Sequence, residues 1–122
     1  LASWVCMPNY AENNHDTLVR FCRALYKAMD YASKPENYEY VAQLVAKQTG
    51  TSLESSMNQT GDADWFDIAT LKEIVADGTL KGYYEHLEAD FVKDGTIQES
   101  DVVEVEKFVM LDLIKEVLDS IQ

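Results

Sequence analysis

Few of the residues that announce common chemistries are present in this chain of 122 residues. Its two cysteines, Cys6 and Cys22, are too few for a disulfide framework and lack zinc-ligand spacing. The two histidines, His15 and His86, stand in different segments without a thiol or carboxylate at ligand spacing around both, so no zinc or catalytic metal is expected. Five glycines never gather into a phosphate-cradling loop, and no serine elbow or Cys–His pairing of known spacing occurs. Basic residues are scarce: ten Lys and Arg face 22 Asp and Glu, a net charge of -12. That surface repels phosphate backbones and anionic lipid, which argues against nucleic acid or a membrane surface as partner. An 18-residue apolar run and a positively flanked apolar leader are both missing. The chain opens on Leu1 without a methionine, and the expectation is a piece of a longer protein.

What is present suits one core of modest size, with 47% hydrophobic residues, and a single unit is expected over 1–122. Within it, a short strand over 2–7 is expected to lead into a helical segment. Trp4, Val5 and Cys6 favour extended backbone, and Pro8 ends it by removing a donor. One strand cannot pair with itself, so its partner would have to come from chain outside this sequence or from a second copy.

Apolar residues at Leu18, Phe21, Cys22, Leu25, Met29 and Ala32 keep helical spacing, with Asn14 or Asp16 as cap. Phe21, Leu25 and Met29 read as core. Lys34-Pro35-Glu36 separates this helix from one striped by Tyr38, Val41, Leu44 and Val45 that ends at Gly50, and the two are expected to pack antiparallel. Ser52 to Gln59 reads as a short helix capped by Thr51 or Ser52. Two further helices stop at Asp77-Gly78 and Asp94-Gly95, and a last one is expected from Ser100 or Asp101 through Ile121. That last stripe is wide enough to suggest self-association of the chain.

Candidate sites are sparse. Asp62-Ala63-Asp64 beside Asp67 lacks the spaced ligands of a calcium loop, since Glu73 falls out of register. Cys6 and Cys22 read most simply as small buried hydrophobes, with a disulfide between them left open.

The segment from Asn14 to Ala32, followed by Lys34-Pro35-Glu36 and Tyr38 to Gly50, resembles the C-terminal part of the solute-binding proteins of ABC importers for nitrate, sulfonates, taurine and thiamine-pyrimidine precursors. Trp4 to Ala11 stands where that family has a strand and its exit. Trp65-Phe66, Asp90-Phe91-Val92 and Gly95-Thr96-Ile97 continue the likeness. The resemblance implies the C-terminal part of a two-lobed α/β periplasmic-binding-protein fold of type II, here mainly α, with one N-terminal strand and helices completing the first lobe. It implies an extracytoplasmic protein, periplasmic or lipid-anchored on the outer face of the membrane. Such a protein captures a small solute and hands it to an ABC permease, without catalysis or cofactor. By position, the strand passes the cleft floor, and Ser3 and Trp4 become the ligand-binding candidates, although packing is the commoner role of a large aromatic. Two other readings are a thiamine-pyrimidine synthase of the same fold and a stand-alone helical interaction module; an unpaired apolar strand at the start would speak against the module.

Overall fold

The computed structural model describes residues 3–121, and they form seven α-helices joined by turns: α1 (Pro8–Asn13), α2 (His15–Ala32), α3 (Tyr38–Thr49), α4 (Leu53–Asn58), α5 (Ile68–Ala76), α6 (Thr79–Lys93) and α7 (Leu111–Asp119). Short 3-10 turns lie at Pro35–Asn37, Glu99–Asp101 and Val105–Lys107. Two compact units emerge, one from the described residues of Leu1–Arg23 and Leu71–Gln122, the other Ala24–Thr70.

The strand expected over 2–7 is not formed. Ala2 lies outside the described residues, and Ser3 to Met7 carry no regular structure. Among the described residues there is no sheet, so the expected α/β fold with its N-terminal strand is replaced by an all-helical one. β-propensity in Trp4, Val5 and Cys6 measures fit to a half-buried sheet, and with no second strand their peptide groups have no ladder to join. Pro8 does more than end an extended run. It is the opening residue of α1, its fixed φ suited to a helix start and its missing N–H one that no helix would have used, while Met7 before it stays extended at φ -69°, ψ 141°.

In the unit that contains α6 and α7, the core is Leu71, Ile74, Leu80, Val105, Val109, Leu113, Val117, Leu118 and Ile121. Val105, Val117 and Leu118 are sealed, and burying each stabilises by about 1.5–3 kcal/mol. The extra apolar width of the last stripe is thus used inside the unit at Leu118. Polar clamps hold α7 in place: Arg23 donates through Nε and Nη2 to Ser120 Oγ at 3.1 and 3.0 Å, and Lys72 Nζ to the Ile121 carbonyl at 2.9 Å.

The last helix is shorter than expected. Gln98 and Asp101 form a reciprocal capping box around one 3-10 turn, after which Val102 turns extended at ψ 131° and, past a second 3-10 turn at Val105–Lys107, α-helix resumes only at Leu111. Adjacent β-branched residues at Val102, Val103 and Val105 make a poor helix interior, and two of the three face solvent. Lys81 on α6 reaches Glu106 at 2.7 Å across this connection.

In the unit Ala24–Thr70, α3 packs on α4, with Ala42 and Ser56 buried. The antiparallel pairing of the helices before and after Pro35 is absent: α3 has α4 as its neighbour, and the tie to the end of α2 is an edge contact between Tyr31 and Tyr40 at 6.2 Å. The reason is local. Lys34 is extended at ψ 123° and Pro35–Asn37 adds a 3-10 turn, which re-aims the chain. Asp30 binds this corner, accepting from Lys34 Nζ at 2.7 Å and from the Ile68 N–H at 3.1 Å.

The two Asp-Gly-Thr sequences turn out to be one device used twice. Asp77 accepts the Thr79 N–H at 2.8 Å and Asp94 the Thr96 N–H at 2.9 Å, while Gly78 and Gly95 take left-handed φ of 84° and 80°. Both carboxyls are held below their ordinary range, by the backbone and side-chain bonds of Thr79 and of Thr96.

Replacing Gly78 by Ala forces a Cβ into left-handed backbone and should destabilise by about 1 kcal/mol, although open space surrounds the site; chemical denaturation measures it, and an unchanged midpoint would refute the strain. A second prediction concerns acid. Hydrogen bonds from Lys34, first, and from Ile68 lower the Asp30 pKa, so its contribution is present above the unfolded value near 3.9 and is lost as pH falls through the lowered one. Thermal melts between pH 6 and 3 should therefore decline less steeply for Asp30→Asn than for the parent chain.

Candidate functional site

Ser3 and Trp4 are both described, and each is tied to a different helix. The Ser3 hydroxyl lies 2.8 Å from the Tyr84 hydroxyl on α6. Trp4 meets Phe21 of α2 edge-on, ring centroids 5.5 Å apart at 76°. Tyr84 in turn touches Phe108 at 6.1 Å and 77°. Five side chains thus gather in one unit: Ser3, Trp4, Phe21, Tyr84 and Phe108.

This surface is unusually open for aromatics. Trp4 is 74% exposed, Phe21 45% and Phe108 50%. The edge-to-face contact covers only part of the indole, and most of Trp4 stays in solvent. The hydroxyl pair has its own arithmetic. Ser3 and Tyr84 bring two protons, their mutual bond uses one, and the other remains to donate outward. A neutral donor beside an exposed flat apolar plate can hold an oxygen-bearing small molecule by one end and its body by the other.

Sequence reasoning reached Ser3 and Trp4 through the resemblance and missed their partners. Phe21 reads as core, Tyr84 falls within the helix expected to stop at Asp94-Gly95, and Phe108 sits in a stretch read as helix. The available signal was the excess of aromatics over what one small core can enclose, eleven Tyr and Phe with two Trp.

Other candidates go elsewhere. His15 Nε2 pairs with Glu116 at 2.9 Å on the surface, and His86 is exposed. Asp67 accepts the Thr70 N–H at 2.7 Å and opens α5, a bond that lowers its pKa. Among the described residues no group of three metal-ligating side chains comes together. Trp65 is half exposed and lines a groove of about 340 Å³ with Tyr38, Val41, Val45, Ser56, Asp62 and Asp64. Ser56 is already satisfied there by Thr51 at 2.9 Å.

Comparison with family models, curated proteins and solved structures gave no match.

Replacing Phe21 by Ala removes the edge that positions Trp4. The expected cost to stability is small, about 0.5–1 kcal/mol given the exposure of both rings, while quenching of the tryptophan emission by acrylamide should increase. Unchanged quenching would mean that Trp4 is positioned by something else.

Proposed function

We propose that this chain is part of an extracytoplasmic solute-binding protein that captures a small solute, a sulfonate, taurine, nitrate or a thiamine-pyrimidine precursor, for an ABC importer. The observation that carries the reading is the exposed indole of Trp4 beside the Ser3–Tyr84 hydroxyl pair. Apart from nitrate, a bare planar oxyanion, these solutes join a polar head to a short apolar or planar body. With a net charge of -12 the chain supplies no attractive field for an anion, so a bound head group must be held by directed neutral donors. The hydroxyl pair is such a donor. The helical part of the resemblance agrees with this reading, since α2, the Pro35 corner, α3 ending on left-handed Gly50 and α6 ending at Gly95 keep its order, whereas its opening strand is not formed.

In this reading the residues here form one edge of the binding site, the remaining contacts come from the rest of the protein, and the loaded protein is read by an ABC permease on the outer side of the membrane. The chain itself performs no catalysis.

A second reading, a stand-alone helical interaction module that associates with itself, gains from two observations. The described residues are all helix and connection, which removes the unpaired strand that would have counted against it. Trp4, Val5 and Met7 are also exposed in succession, at 74%, 91% and 70%.

Calorimetry separates the two. For the solute-binding reading, the longer protein that carries these residues should give heat with one of the four solute classes, and the 122-residue chain alone none. Tyr84→Phe should weaken that binding by about three- to tenfold, the value of one hydrogen bond, and Trp4→Ala by about tenfold or more. Binding by neither protein, together with sedimentation that grows heavier with concentration and reverts to monomer in Val5→Asp, would establish the module instead.

A further inference from the structure

The two cysteines belong to the same surface as Trp4. The Trp4–Phe21 contact lays the segment before α1 against α2, and Cys6 stands two residues beyond Trp4 while Cys22 is the residue after Phe21. Non-helical chain advances about 3.3 Å per residue, so each thiol is within one or two residues of a fixed inter-ring contact. Both thiols are free, Cys6 exposed and Cys22 half-buried. We propose that Cys6 and Cys22 form a redox-controlled disulfide that staples the N-terminal segment onto α2 and thereby fixes Ser3 and Trp4 in place.

The electrostatics agree with the geometry. Burial pushes the Cys22 thiol up from its ordinary value, and the charge of a Cys6 thiolate adds to the shift. Access assigns the order of events. The exposed Cys6 thiolate attacks a disulfide oxidant such as oxidised glutathione, displacing one glutathione thiolate and leaving a mixed disulfide on Cys6. Cys22, losing its proton to solvent, then attacks the Cys6 sulfur and expels the second glutathione thiolate. Two thiols are oxidised by two electrons, and one glutathione disulfide is reduced to two thiols. The staple closes a short loop containing α1 and the start of α2. It restricts a segment whose side chains have few other restraints, since Val5 is 91% exposed.

The inference does not depend on which solute, if any, Trp4 serves. Its test is oxidation of the reduced, folded chain at low micromolar concentration with oxidised glutathione, followed by peptide mapping and a thermal melt. The expected product has lost two hydrogens, contains a linked Cys6–Cys22 peptide, and melts roughly 10 °C higher, as closure of a loop of about 15 residues in a small domain predicts. Dithiothreitol should reverse both changes, and Cys6→Ser should abolish them. Trp4→Ala, at an exposed position that folding does not need, should slow ring closure several-fold. Arrest at the glutathione adduct on Cys6, or closure equally fast in denaturant, would overturn the proposal. Neither outcome touches the calorimetric test of solute binding.

Discussion

The burial of the Val105–Leu118 stretch is the interaction on which the larger unit depends. Val117 at 0%, and Val105 and Leu118 at 1% exposure, come from two short elements, a single 3-10 turn and the nine-residue α7. Neither would persist alone, because a helix of that length is marginal in water without packing. Their order is therefore a consequence of burial, and the clamps from Arg23 and Lys72 act on backbone and hydroxyl groups at the end that burial has already placed. The exposed contact between His15 and Glu116 adds little beside this, since both partners are about half in water.

Polar side chains decide where helices begin and end. Ser52 accepts the Ser55 N–H to open α4, Asp67 accepts the Thr70 N–H at the start of α5, and the Asp77 and Asp94 carboxylates hold the turns that follow α5 and α6. An acidic chain can spend carboxylates in this way without accumulating repulsion, because each is neutralised in part by oriented N–H dipoles rather than by a cation. Only ten basic residues are available for 22 acidic ones, so backbone capping is the route open to most of them.

Much of this was legible in the sequence. Gly50, Gly78 and Gly95 marked helix ends because only glycine adopts their left-handed φ cheaply, and Ser52 was readable as a cap from its place before Leu53. Less legible were features set by non-local geometry. The break between Glu99–Asp101 and Leu111 depends on Val105 being pulled into the core, although a periodic count assigns Val102 to Ile121 to one stripe. The pairing of α3 with α4 rather than with α2 follows from the backbone at Lys34 and Pro35, where residue types permit more than one exit direction. Ser3 and Trp4 were reached through likeness, whereas their contacts with Tyr84 and Phe21 required the fold.

The segment Ser3 to Met7 shows most directly how environment overrides propensity. Its residues are those of a strand, yet a strand is a relation between the peptide groups of two segments, and a helix closes its own hydrogen bonds locally. Where no second strand is present, such a segment keeps its apolar side chains at the surface and is held only through what individual side chains find. Trp4 finds the edge of Phe21 and Ser3 finds the Tyr84 hydroxyl, while Val5 finds nothing that shields it. Two side-chain contacts are weak beside a backbone ladder, because each must offset the ordering of its own residues. The same weakness leaves Trp4 largely exposed and one hydroxyl proton of the Ser3–Tyr84 pair uncommitted. Full burial of Trp4 would have removed this exposure, so the missing ladder that disqualifies the segment as a stable strand is also what keeps its apolar side chains at the surface.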